Sequence, residues 1–159
     1  MLIIDTSIGK LTLIAKNGFI TNIHFADEPV VADANCPLED SDMAVLKECA
    51  KQINEYFAGE REIFTVPIKP KGGEFFQRVW EIMTTDERVG FSKTVTYSCL
   101  AELAGSPRAC RAVGMANNKN PIPIIIPCHR VMGKGGSLTG FRWGLDVKKA
   151  LLELENVVR

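Results

Sequence analysis

A chain of 159 residues, 46% hydrophobic and 24% charged, has the make-up of a soluble globular protein with one moderate domain or two small ones. Its run of isoleucines at residues 122–126 is too short to span a bilayer and is broken by Pro123, and no signal-peptide pattern opens the chain, so no membrane partner is expected. The five cysteines (Cys36, Cys49, Cys99, Cys110, Cys128) show no paired spacing, which argues against a disulfide framework and for a reducing compartment, the cytoplasm or a eukaryotic nucleus.

The formal net charge of zero speaks at first against nucleic acid, but the charges are segregated. Residues 1–68 hold 5 basic and 11 acidic side chains, whereas residues 69–159 hold 14 basic and 8 acidic. No acidic residue lies between Glu102 and Asp146, a window that contains Arg108, Arg111, Lys119, Arg130, Lys134 and Arg142. Such a segment is either a phosphate-binding face or a solvated basic surface.

In chain order, residues 1–26 read as a β-meander: Leu11, Leu13 and Ala15 alternate with polar neighbours, and Asn17-Gly18 is a hairpin turn signal. Residues 27–41 are acidic and contain proline, a loop pattern. Met43, Leu46, Ile53 and Phe57 recur at helical spacing over residues 42–57, and Gly59 follows as a stop. The charge changes sign near the Pro- and Gly-rich residues 66–73, which places a domain boundary there and predicts domains 1–70 and 71–159. A short helix over residues 75–83 turns Phe76, Val79, Trp80 and Met83 inward, and residues 85–93 form a loop. Thr96 caps a helix over residues 97–104, Gly105 ends it, and Ser106 caps a second helix with Pro107 in its first turn. Two helices joined by a tight turn form a helix-turn-helix, with Ala109, Ala112, Val113 and Ala116 inward and Arg108, Arg111 and Met115 outward; an ordinary helical hairpin has the same pattern. Three prolines within residues 120–132 predict an irregular extended segment, residues 133–140 a Gly-rich loop, and residues 146–157 a closing helix capped by Asp146, with Val147, Leu151, Leu152 and Leu154 supplying apolar contacts.

Cys128 stands next to His129 at the end of the proline-rich segment. A thiol attacks as its thiolate, a nearby base helps to form it, and a carboxylate on the closing helix (Glu153 or Glu155) could hold the imidazole in the useful tautomer. Neighbours in an extended chain point to opposite faces, so a direct thiol–imidazole bond requires a tight turn, and otherwise a water bridges them. Taken alone, the pair reads more readily as a buried structural cysteine beside a histidine than as a nucleophile.

The wider pattern is more specific. Asn120-Pro121, the run Pro127-Cys128-His129-Arg130-Val131, Gly140-Phe141 and Leu151-Leu152 with Glu155 together resemble the O6-alkylguanine-DNA alkyltransferase family. Glu55-Tyr56-Phe57 with Gly59, Phe76-Gln77 with Val79-Trp80, Tyr97 with Leu100-Ala101, and Arg111-Ala112-Val113-Gly114 extend the resemblance over nearly the whole chain. The resemblance implies an α/β N-terminal domain with a small antiparallel sheet, ribonuclease H-like, and a mostly helical C-terminal domain carrying the helix-turn-helix. It implies irreversible transfer of an alkyl group from O6-alkylguanine in double-stranded DNA (and by extension O4-alkylthymine) to Cys128, once per molecule, by a monomer without cofactor or metal. His129 acts as the base through a water, Glu155 orients it, Tyr97 serves the leaving base, and Asn120 braces the turn that presents the thiol. Arg111 fills the gap left by the flipped nucleotide, while Arg108, Ser106, Ala112 and Arg130 contact the DNA. Pro127, Val131, Met132, Gly140, Phe141 and Trp143 form the base pocket. Some relatives hold zinc in the first domain, but here Cys36, Cys49 and His24 lack ligand spacing, and His24 reads as a strand residue. Phe141 stands where many members carry tyrosine, residues 85–95 are longer than the usual turn, and Trp143 is bulky enough to predict slower action on large adducts. The alternative is a lesion-binding sensor of the same architecture that transfers nothing; such relatives replace the acceptor cysteine, which this chain keeps.

Overall fold

Three antiparallel strands open the chain in a computed structural model that describes residues 1–30 and 37–157. They are β1 (Leu2–Thr6), β2 (Gly9–Lys16) and β3 (Phe19–Phe25), in the order β1-β2-β3. Asn17 and Gly18 both have positive φ, 54° and 75°, the paired left-handed conformation that lets a two-residue loop match the strand twist. Leu11 and Leu13, fully buried, face the helix α1 (Asp40–Phe57), which lays Leu46, Cys49, Ile53 and Tyr56 across the sheet. Asp42 is buried in the first turn of α1 and accepts the Gly18 amide at 2.8 Å, tying helix to hairpin turn. The returning chain covers the free edge of β3, with Ile20 N–H donating to Pro67 O (2.9 Å) and Lys69 N–H to Ile20 O (2.8 Å). Cys36 and the rest of the segment 31–36, read from sequence as loop, lie outside the described residues.

The chain divides into two compact units, Met1–Lys71 and Gly72–Arg159. Gly72 lies so close to the Trp80 ring that a Cβ there would sit 2.5 Å from it. Trp80 belongs to α2 (Glu74–Thr85), where it is buried with Val79 and Met83, and its indole N–H donates to Ala116 O at 2.9 Å. The two residues of β4 (Val95–Thr96) lead directly into α3 (Tyr97–Leu103), whose cap is the Thr96 hydroxyl accepting from the Cys99 amide. Gly105, at φ 74°, ends α3 by a Schellman turn: Gly105 N–H reaches Glu102 O and Ser106 N–H reaches Ala101 O.

The second helix of this pair, α4, spans Cys110–Asn118 and starts later than the sequence pattern predicts. The Schellman turn has already engaged the Ser106 amide, and Ala109 N–H bonds back to Ser106 O at 2.8 Å. Residues 106–109 are therefore a separate turn, Ala109 is the cap residue, and Ser106 caps nothing. Val113 and Ala116 are buried as expected, and Arg111 and Met115 are exposed on the opposite side.

The proline-rich segment also holds a strand that its composition hides. β5 (Val131–Met132) pairs in parallel with β4, Val95 against Val131 and Thr96 against Met132. This short pairing brings the start of α3 beside the segment that carries Cys128. The last helix, α5 (Leu145–Leu154), begins after Gly144, so Asp146 lies inside its first turn, favourably placed for the helix dipole, and is not the cap. No described helix is long and apolar enough to cross a membrane.

Candidate active site

Two consecutive tight turns present Cys128. Pro127, at φ −82° and ψ 63°, makes an inverse γ-turn in which the Cys128 amide bonds Ile126 O at 2.8 Å. Residues Cys128–Arg130 then form one turn of 3₁₀ helix. Asn120, 1% exposed, spans the loop before them: its amide nitrogen donates to Ile126 O (2.8 Å) and its oxygen accepts from Ile122 N (2.9 Å). These bonds satisfy backbone groups that Pro121, Pro123 and Pro127 prevent from joining a sheet.

The turn makes no direct thiol–imidazole bond: His129 Nδ1 has no hydrogen-bond partner, which leaves a water as the bridge to Cys128. His129 is fully buried, and its Nε2 meets Glu155 Oε1 at 2.7 Å. Burial tends to raise the Glu155 carboxyl, but His129 and Arg130 outweigh it and hold it at about 2. An ionised carboxylate accepts, so Nε2 carries the ring proton and Nδ1 is left as the basic atom. Nδ1 is buried and makes no hydrogen bond. Burial also holds the imidazole below its usual range, so it rests neutral. Burial pushes the Cys128 thiol up, to about 11, against the pull of Asn120, Lys148 and the backbone amides of Cys128 and His129. The resting sulfur is a thiol with thiolate-stabilising groups around it, and ionising it needs a base.

Glu155 is placed by the way α5 ends. It is the last residue before Asn156, which at φ 59° closes a Schellman turn with Asn156 N–H to Glu153 O and Val157 N–H to Leu152 O. Its backbone carbonyl accepts from the Ser92 hydroxyl.

Arg130 corrects the sequence expectation. Instead of facing DNA it is 6% exposed, with Nε on Glu155 Oε2 (2.9 Å), one terminal nitrogen on Glu155 Oε1 (3.0 Å) and the other on Val89 O (2.8 Å). Its guanidinium neutralises the carboxylate that His129 also uses; an unpaired carboxylate at this depth would be costly.

A cavity of about 380 Å³ opens on Cys128, lined by Tyr97, Gly114, Asn117 and Asn118 on one side and Gly140, Phe141 and Arg142 on the other. Of the six residues expected to form the pocket, Gly140 and Phe141 line it. Pro127 is buried in the turn before Cys128, Val131 and Met132 are buried in β5, and Trp143 packs edge-on against Phe141, ring centres 5.2 Å apart. The predicted narrowing by Trp143 thus has no direct basis in the cavity wall. Arg108 and Arg111 are both exposed, Arg108 before α4 and Arg111 on it, while Ala112 is half-buried. Among the described residues no cluster of His, Cys, Asp and Glu is arranged to hold a metal ion.

Two site residues escaped the sequence reading. Lys148 is wholly buried, its ammonium donating to Val131 O (2.6 Å) and Thr139 O (3.2 Å), which joins the Cys128 turn to the Gly-rich loop. Asn117 is 8% exposed and lines the cavity. Each carries the same signal: a polar residue within an apolar stripe. Lys148, Leu151, Leu152 and Glu155 are spaced i, i+3, i+4, i+7, and Val113, Ala116 and Asn117 are spaced i, i+3, i+4.

A helix-turn-helix with two exposed arginines, Arg108 in the turn before its second helix and Arg111 on it, on the same unit as a cavity lined by a cysteine whose neighbouring histidine pairs with a buried glutamate, defines a DNA-binding protein with a built-in nucleophile. Comparisons with known proteins agree: residues 2–70 match the ribonuclease-like domain of 6-O-methylguanine DNA methyltransferase, and residues 74–157 match its DNA-binding domain. The methylated-DNA–protein-cysteine methyltransferase of Mycobacterium tuberculosis is 40% identical over 152 residues, 96% of this chain and 89% of that protein. The constitutive enzyme of that name from Bacillus subtilis is 36% identical, covering 96% and 93% of the two chains. A crystal structure of Mycobacterium tuberculosis OGT in complex with DNA superposes with a TM-score of 0.83 at 39% identity, over 96% of this chain and 90% of that one. The chain belongs to the 6-O-methylguanine DNA methyltransferase family.

Proposed function

We propose that this protein repairs O6-alkylguanine in double-stranded DNA by moving the alkyl group irreversibly to Cys128. The observation that carries the reading is the cavity lined by Cys128, with the buried His129–Glu155 pair next to it in the chain and the exposed Arg108 and Arg111 on the same unit. The O6 substituent of a stacked guanine is out of reach, so the nucleotide must leave the duplex, at a cost of a few kcal/mol. Arg111 offsets part of that cost by filling the gap, and Arg108 holds phosphate. With the base in the cavity, His129 Nδ1 takes the thiol proton through a bridging water, and Glu155 stabilises the imidazolium. The thiolate attacks the alkyl carbon, forming an S–C bond as the C–O6 bond breaks. The bond's electron pair stays on the purine, which takes a proton from Tyr97. A thioether is a poor leaving group, so each molecule acts once. The reaction needs no cofactor, and we place it in the cytoplasm, performed by a monomer.

Intact-protein mass spectrometry after mixing with a duplex containing one O6-methylguanine tests this directly. One methyl per chain is expected, mapped to Cys128 and absent in Cys128→Ser. Tight lesion-selective binding without mass gain would favour the sensor reading, which the presence of the cysteine and the methyltransferase relatives disfavour.

A further inference from the structure

Asn117 presents a buried carboxamide whose nitrogen and oxygen both lack a hydrogen-bond partner. It sits on the wall of the cavity that also contains Tyr97 and Cys128. A buried amide left unsatisfied destabilises a fold, so a leucine of similar size would serve packing better. Tyr97 is the complementary case: its hydroxyl makes one long contact, to Thr139 O at 3.4 Å, which barely fixes the direction of the proton. The two groups are neighbours, close enough for Asn117 to act on the ionisation of Tyr97.

We propose that Asn117 is a positioning residue for Tyr97: when a base fills the cavity its N–H closes on the phenolic oxygen and directs the hydroxyl proton toward that base. This rests on the alkyl-transfer reading above. A phenolic oxygen can accept while it donates, so an amide N–H behind it leaves the O–H free to face forward. When the C–O6 bond breaks, the purine nitrogen gains the proton, Tyr97 becomes a phenolate, and the same N–H stabilises that charge until solvent returns a proton. Burial raises the Tyr97 hydroxyl above its ordinary range, and Asn117 pulls in the opposite direction. The amide thus acts where negative charge develops as the bond breaks.

The test is a double-mutant cycle on the full chain, measuring single-turnover methyl transfer for wild type, Asn117→Leu, Tyr97→Phe and the double variant. Asn117→Leu is expected to slow transfer about tenfold, the effect of losing one hydrogen bond to a developing charge. In the Tyr97→Phe background the same change is expected to do nothing further. The melting temperature of Asn117→Leu should equal or exceed that of wild type, and lesion-duplex affinity, read in a Cys128→Ser background, should fall by much less than the rate. Equal slowing in both backgrounds, no slowing, or a loss of affinity matching the loss of rate would each overturn the proposal. Asn117→Ala repeats the cycle if leucine does not fold. A wild-type protein that gains no methyl refutes the alkyl-transfer reading and this inference with it; a wild-type gain with an additive cycle refutes the inference alone.

Discussion

Four of the residues in the Pro127–Val131 run hold the fifth in place. Arg130 contributes two bonds to Glu155 and one to Val89 O, and truncating it would strand a buried carboxylate. Arg130→Ala is therefore expected to destabilise the fold by about 3–5 kcal/mol in urea titration, and Arg130→Lys, which cannot supply a two-pronged fork, by part of that. The same network sets the acid limit. Glu155 has a carboxyl held at about 2 in the fold against 4.5 ordinarily, so its stabilisation is full above 4.5 and is lost as pH falls toward 2. His129, lowered by burial, acts in the same direction, because the unfolded chain takes up its proton first as pH falls below 6.5. Glu155→Gln should flatten the acid limb of a melting-temperature profile, and an unchanged limb would show that other carboxylates govern it. Lys148→Met leaves the Val131 and Thr139 carbonyls without their donor, with an expected loss of about 1–3 kcal/mol and faster proteolysis within residues 133–140.

Periodicity made the long elements legible, whereas short ones depended on partners far away in sequence. The meander, α1, α2 and α3 follow alternation, helical spacing and the Gly105 stop, and appear close to where those signals put them. The β4–β5 pair was invisible because two residues carry no period, and its register is fixed by a partner some 36 positions away, Val95 with Val131. The start of α4 differs because Ser-Pro reads as a helix opening in isolation, while here residues 106–109 close as a single turn, Ala109 N–H on Ser106 O, before the helix begins at Cys110. Of the candidate site, the Cys128–His129 pair is readable from one pentapeptide. The burial of Arg130 was not, since a basic residue in a basic window reads as surface until its carboxylate partner is in view. Packing between elements gives its own prediction. The Trp80 indole bonds Ala116 O and joins α2 to α4, so Trp80→Phe should cost about 1–2 kcal/mol by chemical denaturation and loosen the helix that carries Arg111.

Across the whole molecule, zero net charge conceals an acidic first unit and a basic second one. Binding to undamaged duplex should fall steeply with salt, because phosphate contact releases counterions. Arg111→Ala is expected to reduce the slope of log affinity against log salt by about one, and Arg108→Ala by a similar amount, measured by fluorescence anisotropy. An unchanged slope in both would remove α4 and its leading turn from the DNA face. The separation of the sulfur from its buried supports has a consequence in genetics. A Cys128→Ser allele would encode a folded protein that still seats the damaged base and never lets it be mended, shielding the lesion even when a good copy of the gene is present. An Arg130 allele would encode a protein that unfolds and vanishes, harmless beside a good copy. Two codons separated by one, altered by single substitutions, should thus produce one dominant and one recessive phenotype.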